Sequence, residues 1–149
     1  MSVPVLSLEP VQQEDFESLH LLRMAAMRES LERLGRFDPE RSRARLADGF
    51  DPTHMRHLCR DGERIGFLTL LPEGEGEDDA LNLKHLYIAP GSQGAGAGAW
   101  AMAWVQGHGR DVVLNALKGS DANRFYQRHG FVQTDEQEFD MQYRWSAAR

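Results

Sequence analysis

Residues 83–98 read Leu-Lys-His-Leu-Tyr-Ile-Ala-Pro-Gly-Ser-Gln-Gly-Ala-Gly-Ala-Gly, a run with the chemistry to hold an anion. Leu86, Tyr87 and Ile88 favour a pleated backbone, and Pro90, with no N–H to give a ladder, ends the strand. Ala97, Trp100/Ala101, Trp104/Val105 and His108 then recur every three or four residues, the period of one helix face. Gly94, Gly96 and Gly98 keep bulky side chains away from the point where that helix would present its unpaired N–H groups. A strand feeding a glycine-lined helix N-terminus suits a phosphate. A Walker loop is excluded, because Ala99-Trp100 stands where Lys-Ser or Lys-Thr is needed. A dinucleotide fingerprint can be drawn as Gly96-x-Gly98-x-x-Ala101. Five residues nevertheless separate Ile88 from Gly94, and Asp111 would begin the following strand rather than end it. A bare tight turn is the remaining alternative at this level.

The elements that must position this loop follow from the rest of the chain. Its 149 residues suit one domain, 1–149, with 41% hydrophobic residues and no apolar run of membrane-spanning length. Met1-Ser2-Val3-Pro4 lacks the pattern of a secretion signal, and a lone cysteine, Cys59, leaves no internal disulfide and no cysteine-based metal site. A soluble, cytoplasmic protein without a metal is expected. A formal charge of −6 argues against a nucleic-acid partner, although seven arginines lie between Arg23 and Arg45. The patterning predicts a strand over 3–8, a helix from 13 or 14 to 34 and a second helix over 39–49. A hairpin of 55–60 and 64–71 turns at Asp61-Gly62, an acidic loop covers 72–79, and a strand runs over 81–88. The central helix follows, then a strand over 112–117, a helix from Ser120-Asp121 through Arg128, and strands over 131–138 and 141–145. This order gives a mixed α/β fold with helices on both faces of one sheet, not an alternating doubly wound one.

Gln93-Gly94-Ala95-Gly96-Ala97-Gly98 resembles the acetyl-CoA loop of the GCN5-related N-acetyltransferase (GNAT) superfamily, Gln/Arg-x-x-Gly-x-Gly/Ala. Ser120-Asp121-Ala122-Asn123-Arg124-Phe125-Tyr126-Gln127-Arg128-His129-Gly130-Phe131 resembles a second segment of that superfamily, A-x-x-F-Y-x-x-x-G-F. The resemblance implies a mostly antiparallel sheet of six to seven strands with about four helices, splayed at the acetyl-CoA site between the strands at 81–88 and 112–117. It also implies an acyltransferase passing acetyl from acetyl-CoA to a primary amine of a small molecule or peptide. On this resemblance Leu86, Tyr87 and Ile88 lie along the pantetheine arm, and the N–H groups of Gln93, Gly94, Ala95, Gly96, Ala97 and Gly98 hold the pyrophosphate. Ser120 stands where relatives carry an asparagine, and Asn123 is its replacement. Tyr126 takes the place of the general acid at the sulfur, protonated at neutral pH as a phenol is.

A base is harder to name: Asn82, Lys84, His85 and Asn115 hold the strand positions, and His85, which titrates near neutrality, is the first choice. Arg23, Met27 and Arg28 on the first helix are the candidates for the acceptor site, and arginines there would favour an acceptor carrying a carboxylate or phosphate. Glu29 and Asp38 would favour a polyamine or aminoglycoside instead. His54 and His57 read as non-metal residues, and Trp100 and Trp104 as core. A homodimer through the C-terminal strands is compatible with the pattern. Two other functions remain: a non-catalytic acyl-CoA-binding sensor with the same fold, and an NAD-binding oxidoreductase resting on Gly96–Ala101.

Overall fold

The computed structural model describes residues 3–76 and 79–147. In chain order the elements are β1 (Leu6–Pro10), α1 (Phe16–Arg33), α2 (Pro39–Ala47), β2 (Met55–Arg60), β3 (Glu63–Pro72) and β4 (Leu81–Ile88). They continue with α3 (Ala97–Gln106), β5 (Val112–Leu117), α4 (Ala122–Arg128), β6 (Val132–Glu136) and β7 (Asp140–Trp145). The seven strands form one sheet in the order β1-β2-β3-β4-β5-β7-β6. β4–β5 is parallel, whereas β1–β2, β2–β3, β5–β7 and β6–β7 are antiparallel. The mixed fold expected from the residue pattern is the fold observed. The acidic loop expected at 72–79 is described only in part, since 77 and 78 lie outside the described residues.

The chain divides into two compact units, and the first comprises the described residues up to Thr69 together with His85–Trp100. β2 and β3 turn at Asp61-Gly62, where both residues have positive φ (51° and 83°), the backbone of a tight two-residue hairpin. Asp61 also anchors β1, accepting from the Val5 N–H at 2.9 Å and donating its own N–H to the Val5 carbonyl at 2.8 Å. Gly66 to Leu70 is buried residue by residue, as in a strand covered on both faces. Gly66 is required by contact: a Cβ there would run into the Tyr87 carbonyl oxygen and sit 3.2 Å from Ile88 Cα. Val11, Leu19, Leu46, Met55 and Phe67 form the core, with Phe16, Leu22, Phe50 and Tyr87 packed against it. Asp38 caps α2 by accepting from the N–H groups of Glu40 (3.0 Å) and Arg41 (3.2 Å), with Pro39 in the first turn.

The second unit comprises Leu70–Lys84 and the described residues from Ala101 onward. β5 supplies its spine. Val112, Leu114 and Ala116 are buried, and six pairs register it with β7, from Val112↔Trp145 to Leu117↔Asp140. β7 in turn pairs with β6, so the later strand lies between β5 and β6. Tyr126, Phe131 and Tyr143 form a buried aromatic group, with Tyr126 5.6 Å from the Phe131 ring and 6.4 Å from that of Tyr143.

Several expectations are corrected. The first strand is Leu6–Pro10 rather than 3–8; β1 is a sheet edge, where a proline costs no interior hydrogen bond. The first helix begins with a 3-10 turn at Gln13–Asp15, in which the Asp15 carboxylate accepts from the Gln12 N–H at 2.8 Å. The buried stripe of α3 is Ala97, Ala101, Met102 and Val105, whereas Trp100 and Trp104 are only half-buried and His108 is exposed. An indole seldom fits wholly inside, and the alanines let backbone approach closely.

Candidate functional site

In the first unit β4 delivers the chain to the glycine loop. The Ala89 N–H donates to the Ile65 carbonyl at 2.8 Å, holding the strand's end on β3. A 3-10 turn at Pro90–Ser92 follows, closed by the Ser92 N–H to the Ala89 carbonyl at 2.8 Å. The Gln93 amide reaches back to the Ile88 carbonyl at 2.9 Å, and the Arg60 guanidinium donates to the Ser92 carbonyl at 3.2 Å. The glutamine in the motif therefore closes the loop on the strand, and Arg60 brings a cation beside it that no sequence signal marked. Gly94 and Gly96 both stand at φ 83°, a conformation L side chains adopt only with strain, and residues 93–96 are exposed. The first helical bond of α3 runs from the Trp100 N–H to the Gly96 carbonyl at 3.0 Å. The N–H groups of Ala97, Gly98 and Ala99 thus precede the hydrogen-bonded turn, and with the exposed loop amides they form a donor set suited to phosphate oxygens.

Behind the loop, His85 is 8% exposed and its Nδ1 lies 2.8 Å from Thr69 Oγ1, so that Nε2 is the nitrogen on the other side of the ring. Its ring lies 5.8 Å from Phe67 and 5.9 Å from Tyr87. The Arg23 guanidinium, from α1, sits 5.5 Å from the Tyr87 centroid. Arg23, Tyr87 and His85 are thus brought together. Met27 is half-buried on the same helix. Arg28 is not part of that group: it is exposed, ion-paired to Glu32 and set 4.7 Å over the Phe37 ring. Arg23, named from the sequence for the acceptor site, is buried, whereas the buried His20 beside it on α1 went unmarked because periodicity is scored on apolar residues. His57 is engaged with Asp15, Nε2 to Oδ2 at 2.9 Å, and this bond is the main reason that the Asp15 carboxyl lies below its ordinary range. His54 pairs with Asp51 at 2.7 Å.

In the second unit the start of β4 pairs with β5 through two residue pairs, Leu81↔Val112 and Asn82↔Val113. The turn after β5 is tied by side chains. Ser120 Oγ donates to the Leu117 carbonyl at 2.7 Å, and the Asn123 amide donates to the carbonyls of Leu117 (2.9 Å) and Ser120 (3.0 Å). Asn123 Oδ1 accepts from the Tyr143 hydroxyl at 2.8 Å. Asn123 is therefore spent on holding the turn that carries Ser120. Tyr126, one turn further along α4, is 7% exposed among Phe125, Phe131 and Tyr143.

The sequence profile of the acetyltransferase (GNAT) domain matches residues 53–133, more than half of the chain. The chain belongs to the GNAT acetyltransferase family. Solved structures agree on the GNAT fold. An acetyltransferase from Thermus thermophilus is 24% identical, with a TM-score of 0.74 over 98% of this chain and 99% of that one. The PaiA N-acetyltransferase of Thermoplasma acidophilum, in complex with coenzyme A, is 15% identical, with a TM-score of 0.70 over 95% and 99%. Arabidopsis thaliana Naa50, with the bisubstrate analogue CoA-Ac-MVNAL, is 16% identical, with a TM-score of 0.67 over 95% and 98%. No curated protein sequence matches the chain. Among the described residues no helix is long and apolar enough to cross a membrane.

Proposed function

We propose that this GNAT protein is an acetyl-CoA-dependent N-acetyltransferase in which a primary amine attacks the thioester directly. The observation that carries the reading is the loop at 93–98, which presents exposed backbone N–H groups at the start of α3 directly after β4. Acetyl-CoA supplies the activated acyl group. The amides of Gln93, Gly94, Ala95, Gly96, Ala97 and Gly98 hold its pyrophosphate, and the backbone of Leu86, Tyr87 and Ile88 lies along its arm. Tyr126 protonates the departing sulfur. His85 takes the ammonium proton at Nε2, the nitrogen across the ring from its bond to Thr69. Ser120 borders the arm, with Asn123 fixing its turn. Arg23 and Met27 contribute to acceptor binding, with Arg28 at the exposed margin.

A second reading, an acyl-CoA-binding module without turnover, draws on the burial of His85, a poor setting for a group that must take up a proton and release it to solvent. Thermal unfolding with acetyl-CoA, CoA, NAD and ATP added separately tests both. A ligand at a hundredfold excess over its Kd adds roughly 2.7 kcal/mol. A rise with the two CoA compounds alone, followed by thiol release in the presence of an amine panel, supports the transferase. A rise without turnover favours the binding module. A response to NAD alone refutes both readings.

A further inference from the structure

Along α1 two polar side chains point inward, one turn apart: His20 at 3% exposure and Arg23 at 7%. Arg23 donates through Nη1 to Ser42 Oγ at 2.7 Å and lies over the Tyr87 ring. Its Nε is buried with no partner, and among the described residues no carboxylate pairs with the guanidinium. His20 Nδ1 is likewise buried without a partner, while its ring stacks 6.3 Å from that of Phe16. A buried charge is ordinarily paired, and a buried N–H ordinarily bonded. Nearby arginines show the usual solution on the exterior: Arg43 with Glu17, Arg28 with Glu32. Arg23 departs from it.

We propose that Arg23, assisted by His20, anchors a carboxylate carried by the amine acceptor. The inference rests on the N-acetyltransferase reading and gives its acceptor a chemical class. With Nη1 committed to Ser42, the guanidinium keeps the edge formed by Nε and Nη2, whose parallel N–H groups match the two oxygens of a carboxylate. Charge selects carboxylate over phosphate. One carboxylate neutralises one guanidinium, whereas a phosphate dianion would leave an uncompensated buried negative charge beside a histidine whose basicity burial lowers. The location suits an acceptor, because Tyr87, under the guanidinium, adjoins His85, the proposed base.

The test measures CoA thiol release from acetyl-CoA for α- and ω-amino acids, each beside its primary amide, and for phosphoethanolamine. Wild type, Arg23→Met and Arg23→Lys are compared. At least one amino acid is expected to exceed its amide in kcat/KM by about 100-fold. In Arg23→Met that ratio collapses toward unity through KM rather than kcat. Arg23→Lys, which keeps the charge but loses the fork, falls between the two. Unfolding temperature gives a second readout: Arg23→Met loses the Ser42 bond along with the buried charge, and the variant keeps its response to CoA. Equal use of acid and amide, preference for phosphoethanolamine, or acetyl-CoA binding with no member of the panel acetylated overturns the proposal. An acid-to-amide ratio left intact in Arg23→Met makes Arg23 structural and also overturns it. If neither variant folds, the wild-type acid-to-amide ratio decides. Failure of the wild type to bind acetyl-CoA overturns the underlying reading instead.

Discussion

Gly66→Ala isolates the link between sheet packing and the cofactor strand. The added methyl would run into the Tyr87 carbonyl oxygen with Ile88 Cα 3.2 Å away, and both obstacles are backbone, so no side-chain rotation relieves them. β3 and β4 must separate locally by roughly 1 Å to restore ordinary contact, an overpacking that costs about 2 kcal/mol. For a domain of this size that is a fall of roughly 4–8 °C in Tm. The strain falls on the backbone assigned to the arm of acetyl-CoA, so CoA affinity should fall about tenfold, roughly 1.4 kcal/mol. Gly62→Ala is the matched control: φ is 83° and nothing lies within 4 Å, so its cost of roughly 1–2 kcal/mol comes from the left-handed conformation alone. Differential scanning fluorimetry and CoA titration calorimetry on both variants decide the matter. Equal stability loss with equal loss of affinity would show that CoA responds to general destabilisation. An unchanged Kd in Gly66→Ala would refute the placement of the arm along Tyr87 and Ile88.

Three further outcomes are expected. Tyr126→Phe should lower kcat by roughly 100-fold while CoA still raises the unfolding temperature; a lost CoA response would remove Tyr126 from the acid role. Asn123→Ala strands the hydroxyl of Tyr143, which is 2% exposed, and removes the side-chain donor that ties the turn; a loss of about 1–3 kcal/mol should appear in urea unfolding, and a neutral result would show that Gln127, 3.4 Å from that hydroxyl, suffices. Burial, then the positive charge of Arg43, lowers the pKa of His20, with Glu17 opposing. The unfolded chain therefore binds the proton more readily, and this contribution to stability is complete above about pH 6.5 and lost as pH falls through the lower folded value. His20→Phe should flatten that part of the pH–stability curve, and parallel curves for wild type and variant would refute the assignment.

The strands β2, β4 and β5 were legible to the residue because each is bracketed by hard punctuation, Asp61-Gly62 after the first, Pro90 after the second and Gly119 after the third. The loop was legible for the same reason: Gly94 and Gly96 are demanded by local backbone geometry, and Gln93 by a bond five residues back. What depends on tertiary environment was not. His20, three residues before Arg23, carried no mark in the pattern, and only the packed structure shows it buried. Gly66 carried a signal, since a lone glycine within an apolar strand points to a close backbone approach. Trp100 and Trp104 misled through size, since hydrophobicity marks the face and volume decides which residues fit beneath it.

The insertion of β7 between β5 and β6 has a consequence for biosynthesis. β6 emerges from the ribosome before the strand that will hold it, and β5 waits equally for the partner on that side. Until Asp140–Trp145 clears the exit tunnel, the Val112–Leu117 strand exposes a row of unpaired N–H and C=O groups beside apolar side chains, a template for pairing with another nascent chain. A stop codon anywhere before 140 would remove both ladders at once. Yield in cells should therefore fall with pausing or truncation in this stretch, and pausing should do least harm once Trp145 has emerged.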